Sequence, residues 1–92
     1  MNTDVHWDPA KAAANRSKHG VCFADAELVL YDPLALTMED PHAEGESRFV
    51  SLGRDATGLM AVVVYTYRDD YIRLISARRA TRQEQRTYEK GI

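Results

Sequence analysis

The apolar positions change period part-way along the chain, and the change divides it into a helical half and a strand half. Asp8 followed by Pro9 supplies a helix-capping oxygen and a proline suited to the first helical position. The alanine-rich run that follows favours helix, and Gly20 is placed to close it, so the pattern predicts a helix over roughly 9–19. Phe23, Ala26, Val29 and Leu30 then recur on one helical face, with Asp25 and Glu27 off it and Pro33 barring continuation. A second helix over about 23–31 follows, folded back on the first as a hairpin because the link is so short. Ahead of both, Val5-His6-Trp7 reads as a brief strand or a hydrophobic lead-in.

From Arg48 the period becomes that of strands. Residues 48–53 alternate weakly, 59–67 form a β-branched and aromatic run, and 71–79 form another, with polar turns at 54–58 and 68–70. Residues 35–37 offer a further short strand before the acidic loop 38–46. Thr81 and Glu84 make a capping box that opens a last helix over about 82–90. The expected architecture is α+β: two N-terminal helices, an antiparallel sheet of three to four strands and a C-terminal helix, with the helices gathered on one sheet face.

Ninety-two residues, 45% of them hydrophobic and 28% charged, suit one small domain over 1–92. The single cysteine, Cys22, forms no internal disulfide and reads as a small buried apolar residue; nothing suggests an oxidising compartment. The start at Met1 shows no basic segment followed by an apolar one, and 59–65 is too short to span a bilayer. A cytoplasmic location without membrane contact is expected. The net charge of −2 conceals an asymmetry: residues 1–47 carry nine acids and three bases, whereas 48–92 carry nine bases, eight of them arginine, and five acids. The second half is therefore the candidate polyanion-binding half, because the guanidinium fork suits phosphate. Arginines on a merely solvated face would look the same.

Several chemistries find no support. His6, His19 and His42 sit in different segments and there is no Cys-x-x-Cys, so neither a metal nor a cofactor is expected. What remains is Lys18-His19 before Gly20 and the arginines near strand ends. Metal-free RNA cleavage needs a base for the 2′-hydroxyl, an acid for the leaving 5′-oxygen and cations for the charged phosphorane, and histidine, lysine, tyrosine and arginine supply these. The structural reading stands beside it: cations at 16, 18 and 19 simply favour the negative end of a helix, and strand-end arginines snorkel to water. Strict alternation puts Ile72, Leu74, Ser76 and Arg78 on one face of the last strand and Tyr71, Arg73, Ile75, Ala77 and Arg79 on the other. Trp7 reads first as a core anchor and only second as a base-stacking platform.

The segments Trp7-Asp8-Pro9-Ala10-Lys11, Asn15, Lys18-His19-Gly20-Val21 with Phe23, Asp32-Pro33, and Arg73-Leu74-Ile75-Ser76-Ala77-Arg78 with Glu84 and Tyr88 resemble, in that order, the BrnT family of bacterial type II toxins. The resemblance implies a RelE-like α+β fold, ribonuclease activity that halts translation, and a hetero-oligomer with a BrnA-like ribbon-helix-helix antitoxin, the complex rather than this chain binding operator DNA. Cys22 departs from the pattern, since similar sequences more often carry a small hydroxyl or acidic residue there, which weakens a helix cap.

The combined expectation is a metal-independent endoribonuclease toxin. Lys18, His19, Arg73 and Arg78 are its candidate catalytic residues, and Arg48, Arg68 and Arg79 its candidate RNA contacts. The alternative is a catalytically inactive toxin homologue, a protein-binding module in an antitoxin and operator complex, whose arginines make interface salt bridges. Sequence-specific DNA binding by this chain alone ranks third, because Glu84 and Glu89 interrupt the bases of the last helix.

Overall fold

Asp8 caps the first helix as its sequence position suggests, its carboxylate accepting a bond from the Ala10 N–H at 3.0 Å. In the computed structural model, which describes residues 4–91, this helix (α1) spans Pro9–His19. Gly20 ends it in the left-handed region, φ 71°, and donates its N–H to the Arg16 carbonyl at 2.8 Å. Met1–Thr3, part of the segment expected to carry no leader, lie outside the described residues.

The expected second helix is α-helical only over Phe23–Ala26 (α2) and tightens to a 3₁₀ segment over Glu27–Tyr31. Such tightening is common where a helix is short and must stop, here just before Asp32-Pro33. Cys22 occupies the N-cap of α2 and makes no capping bond. Thr81 and Glu84 form both halves of the capping box that opens the last helix, α3, over Arg82–Lys90.

The sheet departs from expectation. It has five strands, β1 (Asp4–His6), β2 (Leu36–Glu39), β3 (Phe49–Arg54), β4 (Met60–Arg68) and β5 (Tyr71–Arg79), in the order β1-β5-β4-β3-β2. β2 through β5 form the antiparallel part, but β1 pairs in parallel with β5, so the sheet is mixed rather than antiparallel with three to four strands. A three-residue strand whose residues pair with partners 67 positions later leaves almost no periodic signal in the sequence.

The helices are not gathered on one face either. Val21, Phe23, Ala26 and Val29 bury themselves with Ala61, Val63, Tyr65, Ile72, Leu74 and Ala77 on the first face, with Ala12 of α1 and Trp7 packed against them. α3 covers one end of the second face instead, where Tyr88 meets Met60, Val62, Val50 and Leu52. Away from α3 the second face carries Val64, Arg73 and Ser76, each partly exposed, while Thr66 is buried beneath the Ser47 carbonyl.

Candidate functional site

A register shift decides which side chains share that face. Val64 pairs with Ser76, yet the next residue, Tyr65, pairs with Leu74, so Ile75 is the extra residue of a β-bulge. The bulge resets the alternation of β5. Arg73 pairs opposite Thr66, Ser76 opposite Val64 and Arg78 opposite Val62, so all three lie on the second face, with Tyr71. Strict alternation separates Arg73 from Arg78; the structure puts them on one side. Arg79, opposite Ala61, goes to the first face.

Beside Arg73 the parallel strand β1 adds His6, the two being direct neighbours in the ladder. His6, Trp7, Asp8, Tyr71 and Arg73 line a shallow groove of about 210 Å³. The His6 imidazole meets the Tyr71 ring edge-on with centroids 4.7 Å apart, and its Nε2 lies 4.0 Å from the Asp4 carboxylate. Trp7 is anchored by the core, edge-on to Phe23 at 6.0 Å, as its first reading has it. The groove thus assembles one imidazole, one phenol and one guanidinium beside the helix-capping Asp8 carboxylate, and the first three can take a proton, give one and hold a phosphate.

The other candidates are dispersed. Lys18 and His19 are exposed at the far end of α1. Eleven helical residues, about 16 Å of rise, separate them from the groove, and α1 packs on the first face. They do not come together with Arg73 and Arg78. Arg78 forms a bidentate pair with Glu84 of α3, both N–O distances 2.9 Å. That pair holds the Glu84 carboxyl down at about 2, although burial opposes the shift. Arg79 donates to Asp55 at 2.7 Å, and that carboxylate is wholly enclosed. Burial raises the Asp55 pKa, but bonds from Thr57 and Arg79 outweigh it and keep it below the usual range. Arg68 donates to Glu46 at 3.0 Å, while Arg48 is exposed just before β3.

His6 and Tyr71 escape a reading of the sequence because their meeting depends on the parallel β1–β5 pairing and on nothing local to either. Among the described residues no three His, Cys, Asp or Glu side chains cluster as a metal ion would require. No helix among them is long and apolar enough to cross a membrane.

Comparison with known proteins adds an independent finding. Residues 7–84 match the family described as "Ribonuclease toxin, BrnT, of type II toxin-antitoxin system". The 1.1 Å crystal structure of the Brucella abortus ribonuclease toxin, BrnT, is similar with a TM-score of 0.65 and 24% identity, covering 88% of this chain and 100% of that one. That likeness shows a shared fold. No curated protein sequence matches.

Proposed function

The chain belongs to the BrnT family of ribonuclease toxins of type II toxin-antitoxin systems, and on that premise we propose that it is a metal-independent endoribonuclease working from the β1–β5 groove. The carrying observation is the contact of His6 with Tyr71 at 4.7 Å beside Arg73, which gathers proton-transfer groups and a phosphate-binding cation at one mouth. In the reaction a base takes the proton of an RNA 2′-hydroxyl, and O2′ forms a bond to the adjacent phosphorus. The P–O5′ bond breaks, and an acid protonates the departing 5′-oxygen. His6 and Tyr71 divide those two proton transfers, and Arg73 stabilises the added negative charge. Lys18, His19 and Arg48, exposed and away from the groove, are assigned to the RNA backbone rather than to the reacting phosphate.

Cleavage of this kind in the cytoplasm would halt translation. A BrnA-like ribbon-helix-helix antitoxin would neutralise it, with operator DNA bound only through the complex. Purified protein is expected to cut RNA in excess EDTA; loss of cutting on chelation would remove metal independence.

One observation favours a second reading. Arg68, Arg78 and Arg79 are each paired with a carboxylate of this chain, which suits a catalytically inactive homologue retained as a protein-binding module. Induction of this chain alone separates the two: the enzyme arrests growth, the module does not.

A further inference from the structure

The two edges of the sheet are finished differently. Along β5, β1 covers Tyr71 to Arg73, and further on Asn15 of α1 bonds both the N–H and the carbonyl of Ala77. The opposite edge is β2, which has β3 on one side and no strand partner on the other among the described residues. Such an edge presents free N–H and C=O groups to any extended chain that reaches it. Here it also carries apolar surface, for Tyr31, Leu34 and Met38 are 54%, 67% and 63% exposed.

The loop that follows β2 sets the sign of what can dock. Between Met38 and Ser47 the chain holds Glu39, Asp40, Glu44 and Glu46 and no lysine or arginine. Among the described residues Glu46 alone of these is matched by a cation, Arg68; Glu39 and Glu44 stand exposed. The four carboxylates outnumber the two neighbouring cations, Arg48 beside Asp40 and Arg68 on Glu46, so the loop favours a basic partner over RNA. A second copy of the chain would offer its own β2, Leu-Thr-Met-Glu, which brings no cation to meet the loop.

We propose that the β2 edge docks an extended segment of the antitoxin, which adds a sixth strand beside Leu36–Glu39. It sets apolar side chains against Leu34 and Met38 and lysine or arginine against Glu39 and Glu44. The proposal rests on the reading of the chain as an antitoxin-neutralised toxin. It places protein recognition on the acidic edge and RNA chemistry on the edge where β1 meets β5.

The test uses the full chain in complex with the ribbon-helix-helix antitoxin it is proposed to bind. In the complex, amide hydrogen exchange at residues 36–39 is expected to slow at least tenfold relative to the free chain. The double variant Glu39→Lys with Glu44→Lys, and separately Met38→Lys, should weaken the complex at least tenfold while the free variants cut RNA as the parent does. A complex that leaves exchange at 36–39 unchanged overturns the proposal, as does parental affinity in the charge-reversed variant. Binding and exchange are read without reference to cleavage, so an inactive groove overturns the enzyme reading and leaves this one standing.

Discussion

Asn15 takes the place of a strand beside Ala77. Its amide nitrogen donates to the Ala77 carbonyl at 2.9 Å and to the Val21 carbonyl at 3.1 Å, and its amide oxygen accepts from the Ala77 N–H at 3.0 Å. One side chain therefore joins α1, the link to α2 and the edge of β5. The residue is buried, so removing it leaves three polar backbone groups without partners. Asn15→Ala is expected to cost about 2–4 kcal/mol. Asn15→Asp should cost at least as much, because a carboxylate keeps the bond from Ala77 N–H but faces two carbonyl oxygens. Urea denaturation checks both values, and a loss below 1 kcal/mol in both would contradict the strand-like role.

The pair of Arg78 with Glu84 ties β5 to the first turn of α3 and makes stability depend on acid. Arg78 lowers the Glu84 pKa from an ordinary 4.5 to about 2. A depressed carboxyl stabilises the fold at pH above its unfolded value, and this contribution fades as pH falls from 4.5 towards 2. Both side chains are part-exposed, at 42% and 32%, so screening trims the contribution to about 1 kcal/mol. Glu84→Gln should therefore lower the melting temperature at neutral pH, and the gap to the parent should narrow steadily below pH 4.5. A gap that is constant with pH would contradict a titrating contribution from the Glu84 carboxylate.

Asp32 is the point where α3, β3 and the 3₁₀ segment meet. Its Oδ2 accepts from the Tyr88 hydroxyl at 2.8 Å and the Arg54 N–H at 2.9 Å, and its Oδ1 accepts from the Leu34 N–H at 2.9 Å. Burial pushes the carboxyl pKa up, but these bonds, with the Arg54 charge, leave it lowered. Gly53 lies directly beneath: a Cβ there would sit 2.9 Å from Asp32 Oδ2 and 3.3 Å from both Ala35 and Val29. Gly53→Ala must displace a bonded carboxylate and is expected to cost about 1–3 kcal/mol. Tyr88→Phe, which removes one bond to a charged acceptor, should cost about 1.5–3 kcal/mol. Thermal unfolding of each checks them, and neutral behaviour at Gly53 would mean that Asp32 can move at no cost.

How legible this was in the sequence varies with the range of the signal. Local signals are legible: Asp8, Gly20 and the Thr81-Glu84 box mark the ends of α1 and the start of α3, because capping is a contact between residues two to four apart. The segment β1 was visible only as a brief strand or lead-in, since its partner lies across the whole chain. Ile75 gave no sign of a bulge, and without the bulge Arg73 and Arg78 fall on opposite faces. Composition did show that arginine is concentrated in the second half, but not that Arg68, Arg78 and Arg79 each find a carboxylate, which is decided by tertiary placement. The candidate site shifts accordingly from Lys18-His19 to His6 and Tyr71, with Arg73 common to both readings.

That shift yields a direct comparison between two histidines. His6 lies in the groove with Tyr71 and Arg73, whereas His19 is exposed at the opposite end of α1. His6→Ala should reduce the single-turnover rate of RNA cleavage by about 10²–10⁴-fold, the usual worth of a positioned proton-transfer group. Arg73→Ala should reduce it by about 10²–10³-fold, as expected for a lost charge-stabilising donor. His19→Ala should change the rate by no more than about the few-fold effect of one backbone contact, and that loss should shrink as salt is raised. The three variants change half-buried or exposed side chains, so melting temperatures should stay near the parent's and rates can be compared directly. If His19→Ala abolishes cleavage while His6→Ala leaves it intact, the chemistry belongs to the end of α1. The β1–β5 groove would then be a structural seam, held by the His6–Tyr71 contact rather than used by it.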